Sequence, residues 1–142
     1  MLAIIAPGQG SQTPGMLNEW VQDPSLKELL ATWSDAIGLD LLHLGTVANA
    51  EEIKNTANAQ PLIVAASLLG AHALNIKNFS ATSGHSVGEI AAAALSGAIS
   101  HADALTIVRA RGLAMAKAAA ATPAGMSAVL GGDRTEVLAS LA

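Results

Sequence analysis

The segment Gly84-His85-Ser86-Val87-Gly88-Glu89 contains G-x-S-x-G, a serine with a glycine two residues away on either side. A strand that turns sharply into a helix at such a serine lifts its hydroxyl clear of the backbone, the geometry of a nucleophile elbow. The free N–H groups and positive end of the following helix would favour a developing oxyanion, so Ser86 is the candidate nucleophile. A serine before a helix also reads as a plain N-cap. The loop Pro7-Gly8-Gln9-Gly10-Ser11-Gln12 follows an apolar run. Its glycines would bring backbone amides to the carboxyl edge of a sheet, where ligands bind in α/β folds. It is not a dinucleotide fingerprint, because Thr13 stands where the third glycine of G-x-G-x-x-G belongs. The third feature is Arg111, close to the apolar face of a helical segment. Its planar fork can hold a carboxylate through two hydrogen bonds, and an unpaired buried charge is costly. That carboxylate is either an internal Asp or Glu or part of a substrate.

These residues need elements to hold them. Leu2–Ala6 is a short apolar run stopped by Pro7 and Gly8, the pattern of a buried parallel strand. Asp23 before Pro24, with Leu26, Leu29, Leu30, Trp33 and Ile37 at helical spacing up to Gly38, predicts an amphipathic helix. Leu39–Val47 is ambiguous, and Ala50–Lys54 adds a turn or two of helix. Ala59–Leu74 reads as a helix that must keep Pro61 near its first turn or kink. Phe79–Ser83 is the strand that feeds the elbow, and Ile90–Leu95 continues as a helix with Gly97 as its cap. Ser100 with Asp103 forms a capping box for a further helix that carries Arg109 and Arg111.

Composition limits the alternatives. Seven basic and eleven acidic side chains give a formal net charge of −4, and three arginines and four lysines scattered along the chain form no stripe for phosphates. Nucleic acid is therefore not an expected partner. Hydrophobic residues make up 51% and charged residues 13%, which excludes a disordered chain. No run approaches the ~20 apolar residues of a membrane span. The N-terminus lacks a basic region and a signal-peptide core, so a cytoplasmic location is expected. With no cysteine there is neither disulfide framework nor thiol nucleophile. One Phe, two Trp and no Tyr predict a core of small aliphatic side chains.

Read in order, the motifs resemble one family. Ala6-Pro7-Gly8-Gln9-Gly10-Ser11-Gln12 is similar to the P-G-Q-G-S-Q opening of malonyl-CoA:acyl carrier protein transacylases, which load extender units for fatty acid and polyketide synthesis. Ala59-Gln60-Pro61 resembles the family's Gln-Pro helix and Gly84–Glu89 its G-H-S-x-G-E elbow. Arg109-Ala110-Arg111-Gly112 resembles its arginine helix, and Ala124-Gly125-Met126-Ser127-Ala128 its G-M-x-A segment. The resemblance spans essentially the whole chain.

The resemblance implies that Ser86 is acylated by malonyl-CoA, with the amides of Gln9 and Val87 as the oxyanion hole. It implies that Arg111 grips the malonyl carboxylate, with Gln60 and Met115 near the pocket. His85 joins that substrate-binding set by its place in the elbow, although its side chain reads as structural because neighbours at such a turn project apart. The acyl group then passes to the phosphopantetheine thiol of acyl carrier protein. CoA and phosphopantetheine are substrates, and no metal or resident cofactor is implied. The implied fold is an α/β hydrolase-like core with a parallel sheet and flanking helices over 1–123. A ferredoxin-like small subdomain would begin over 124–142, with Met126–Leu130 as its first strand and the segment from Asp133 as its first helix. The family's general base is a downstream histidine, which this sequence does not reach. His43, His72 and His101 lack a supporting motif. The missing C-terminal half is thus an expected partner, making the chain a fragment or half of a split enzyme. Two other readings stand: a thioesterase or patatin-like serine hydrolase sharing the elbow, and a catalytically silent fragment that only associates with a complementary chain.

Overall fold

The computed structural model describes residues 1–121, 129 and 131–141. Short polar residues set most of its helix starts. The Asp23 carboxylate accepts from the Ser25 N–H at 2.8 Å, and Pro24 opens helix α1, Pro24–Ile37, which ends at left-handed Gly38. Asp40 and Asn49 cap α2 (Leu41–Thr46) and α3 (Ala50–Lys54), which gives the ambiguous 39–47 segment a helical turn. Asn55 caps α4, Thr56–Ala73, so this helix begins earlier than its apolar pattern at Ala59. Pro61 therefore lies in its second turn, and the carbonyl that Pro61 leaves without a donor, that of Ala57, accepts from Arg109 Nη1 at 2.9 Å.

Strands β1 (Ala3–Ala6) and β2 (Ala81–Gly84) pair in parallel, with Ala3 opposite Ala81 and Ala6 opposite Gly84. The parallel sheet agrees with expectation, but the buried strand does not. Ile5 is 70% exposed, and only Ala6 of β1 is buried. With two strands among the described residues both are edges, and nothing described covers the face that Ile5 presents. Helix α5, Gly88–Leu95, packs on the sheet and is followed by Gly97 at φ 81°. Helix α6, His101–Ala121, starts at the expected box: Ser100 Oγ accepts from the Asp103 N–H at 3.0 Å and donates to its carboxylate at 2.7 Å. Helix α7, Arg134–Leu141, is capped by Asp133. The segments 124–128 and Met126–Leu130 lie outside the described residues except for Val129, as does the 123/124 boundary.

The core is aliphatic, as the composition predicts. Leu30, Leu41, Leu62, Leu68, Leu69 and Leu105 are fully buried around α4, which is apolar on nearly every side. Each such side chain contributes roughly 1.5–3 kcal/mol on burial. Among the described residues no helix is long and apolar enough to cross a membrane.

At the base of this core His101 packs edge-on against Trp33, ring centroids 6.0 Å apart. Burial, and secondarily the charge of His72, hold the His101 pKa below its ordinary value of 6.5. The unfolded chain therefore binds the proton more readily. The stability due to neutral His101 is complete above about pH 6.5 and falls as pH drops toward the lower folded pKa. Urea titrations at pH 7.5 and 5.5 are expected to show a lower midpoint at the acid pH, and His101→Gln is expected to shrink that difference.

Candidate active site

The parallel register sets Ala6 beside Gly84, so the Gly8 loop and the elbow leave the same edge of the sheet together. The His85 N–H donates to the Ala6 carbonyl at 3.1 Å. Neither elbow glycine has room for a side chain. A Cβ on Gly84 would run into the Gly88 carbonyl, and one on Gly88 into the carbonyls of Ala6 and Pro7. Between them Ser86 takes φ 55°, a left-handed conformation that strains a serine by about 1 kcal/mol or more. The expected elbow is therefore present, with Ser86 exposed at the foot of α5. Gly88→Ala forces a methyl group between backbone carbonyls that cannot move aside. We expect a loss of roughly 1–3 kcal/mol or failure to fold, read by urea unfolding and soluble yield.

Behind the serine stands a chain of polar side chains from α6, α4 and the N-terminal loop. Arg111 Nη2 donates to Ser86 Oγ at 3.3 Å, and Arg111 Nη1 donates to Gln60 Oε1 at 2.6 Å. Arginine can only donate, which fixes the Gln60 oxygen toward it and turns the amide nitrogen the other way. That nitrogen donates to Met115 Sδ at 3.1 Å and to Gln9 Oε1 at 3.4 Å. Gln9 Nε2 in turn donates to Thr56 Oγ1 at 3.2 Å. Gln60, 1% exposed, is thus a buried polar group with both ends satisfied.

The structure places Ser86, Arg111, Gln60, Met115 and Gln9 in one hydrogen-bonded chain. Val87 is fully buried at the N-cap of α5. Neither its N–H nor that of Gln9 donates to an acceptor among the described residues. An internal carboxylate was one of two partners open to Arg111, and among the described residues an amide oxygen takes that place instead. The α4 residue facing α6 there is Gln60, and a half-buried guanidinium stays hydrated enough to do without a counter-ion. His85 stands outside the polar chain. Its ring lies against Gly8, where a Cβ would strike Nδ1. Among the described residues no imidazole hydrogen-bonds to Ser86, and His43 is held by Glu52 at 3.0 Å.

Sequence reasoning missed Thr56, which anchors Gln9, and gave Gln12 no role beyond its place in the loop. Gln12 accepts from the Gly10 N–H at 2.8 Å and donates to the Ile53 carbonyl at 3.2 Å, tying the loop to α3. The Asn55-Thr56 pair ahead of the Gln-Pro helix was the available signal for the first. Chemically, the arrangement offers a hydroxyl on a strained turn at a helix N-terminus with a cation beside it. It can form an ester on Ser86 and hold an anion next to that ester.

Residues 4–140 match the family described as the acyl transferase domain, and the chain belongs to that family. Within it the chain is similar to malonyl CoA-acyl carrier protein transacylase of Mycobacterium tuberculosis, 55% identical over 146 residues covering 99% of this chain and 48% of that protein. The crystal structure of MCAT from Mycobacterium tuberculosis superposes with a TM-score of 0.91 at 54% identity, covering 99% of this chain and 48% of that one. A type II PKS acyl-carrier protein in complex with its malonyl-transacylase gives a TM-score of 0.73 at 35% identity over 82% of this chain and 39% of the transacylase. The chain spans about half the length of the curated relatives it matches.

Proposed function

We propose that this chain carries the acyl-accepting part of a malonyl-CoA:acyl carrier protein transacylase site. The observation that supports this most is the Arg111 guanidinium, which reaches Ser86 Oγ with one nitrogen and is braced by buried Gln60 through the other. In a malonyl ester of Ser86 the free carboxylate is separated from Oγ by one carbonyl and one methylene. A cation beside the serine is therefore where that charge needs a partner, and a neutral acyl group gains nothing from it.

Ser86 Oγ attacks the thioester carbonyl and gives its proton to a base. The N–H groups of Gln9 and Val87 hold the oxyanion, and CoA leaves as its thiol. The phosphopantetheine thiol of acyl carrier protein then attacks the ester, and Ser86 recovers its proton. Met115 and the elbow residue His85 border the acyl group. The base is a histidine supplied by the remaining half of the enzyme, on a hydrolase-like core completed there with a ferredoxin-like subdomain beginning near residue 124. The chemistry uses CoA and phosphopantetheine as substrates and needs no metal. Fatty acid or polyketide synthesis in the cytoplasm fits this reaction.

The test is transfer. The chain combined with its remaining half, hereafter the complete enzyme, is expected to load malonyl groups from malonyl-CoA onto holo acyl carrier protein and to use acetyl-CoA poorly. Release of free malonate without loading of the carrier protein would favour a hydrolase.

A further inference from the structure

Pro61 has no N–H, so the Ala57 carbonyl loses the donor that an ordinary helix residue would give it. Arg109 supplies that donor from another helix, at 2.9 Å. One turn along the same face of α6, Gly112 lies against the same stretch of α4. A Cβ there would stand 3.1 Å from the Thr56 carbonyl oxygen and 3.3 Å from Ala57 Cα. Another turn on, Met115 touches Gln60. The two helices therefore meet almost backbone to backbone where α4 begins, and the Arg109 guanidinium is the polar link. Gln60 sits on the turn that this link closes, directly before Pro61, and it braces Arg111 at 2.6 Å.

We infer that Arg109 is a positioning residue: by replacing the donor that Pro61 lacks, it fixes where Gln60 and Arg111 stand relative to Ser86. The inference rests on the malonyl-transfer reading of that site. Arg109 acts through the helices: among the described residues its hydrogen bond goes to the Ala57 carbonyl, and it is not a member of the polar chain that reaches Ser86. An ordinary residue at 61 would satisfy the Ala57 carbonyl within α4 and make the cross-helix bond dispensable. The Pro61–Arg109 pair thus adds one charge-assisted hydrogen bond to the packing of Leu105, Val108 and Gly112 that seats α6, and places it at the turn that carries Gln60.

A cycle of four complete enzymes tests this: the parent, Arg109→Met, Pro61→Ala and the double variant. Met keeps an apolar stem without a donor, and Ala at 61 restores the N–H. Arg109→Met is expected to raise the KM for malonyl-CoA roughly tenfold while acetyl transfer changes by no more than about twofold. In the Pro61→Ala background the malonyl effect is expected to shrink to about twofold. Urea midpoints of the same four proteins are expected to be non-additive in the same sense. Equal losses in both backgrounds, or equal losses for malonyl and acetyl transfer, would overturn the inference. If the parent itself loads no malonyl group, the proposed function fails. The urea cycle then still decides whether the link between residues 61 and 109 exists, and additive midpoints would overturn it.

Discussion

Ser86→Ala is expected to leave the complete enzyme folded but without any malonyl adduct, with transfer to acyl carrier protein lower by about 10⁴-fold or more. The size follows from the absence of a substitute. The chain has no cysteine, and the left-handed turn at φ 55° presents a single hydroxyl at the start of α5. Stability should barely change. Ser86 is exposed, and its Oγ has one long bond at 3.3 Å, from Arg111. Far-UV circular dichroism and the urea midpoint therefore serve as controls, and a variant with parental stability and no transfer isolates the chemistry from the fold.

Arg111→Ala carries the second large effect, and its direction depends on the acyl group. A charge-assisted pair with a carboxylate contributes about 1.5–3 kcal/mol, and truncation of a partly desolvated pair costs more, so kcat/KM for malonyl-CoA is expected to fall by roughly 10²–10³-fold. Acetyl-CoA has no carboxylate to lose, and its use is expected to hold or rise. The acetyl control also covers a structural cost. Removing the guanidinium strips the partner from the oxygen of Gln60, which is 1% exposed, and an unsatisfied buried acceptor costs about 1–3 kcal/mol. Arg111→Lys keeps the charge without the fork and is expected to recover only part of the malonyl activity. An unchanged ratio of malonyl to acetyl use in Arg111→Ala would remove Arg111 from the carboxylate site.

Much of this was legible in the sequence because local chemistry and global structure agree. Asp23-Pro24 and Gly38 bound α1 where the pattern placed it, and the Ser100–Asp103 box opens α6. The elbow was readable because both its glycines answer to backbone contacts that only glycine permits. Other features depend on pairings that no local pattern encodes. Arg111 near an apolar face raised the question of a carboxylate, yet its partner is the amide of Gln60, 51 residues away in sequence. The start of α4 was set by Asn55 and not by the first apolar residue. Pro61 read as a local problem of one helix, and its solution came from Arg109 on another. The exposure of Ile5 is likewise a property of its neighbours, since an apolar run carries the same signal whether or not something covers it.

Acylation of Ser86 is a covalent change, and mass spectrometry reads it without an intervening assay. The complete enzyme is incubated with malonyl-CoA, its intact mass is measured, and a tryptic map locates any adduct before and after addition of holo acyl carrier protein. One malonyl group is expected on the peptide containing Ser86, discharged when the carrier protein is added. Loading of the carrier protein with no enzyme adduct, or an adduct on another residue, would rule out Ser86 as the acyl carrier.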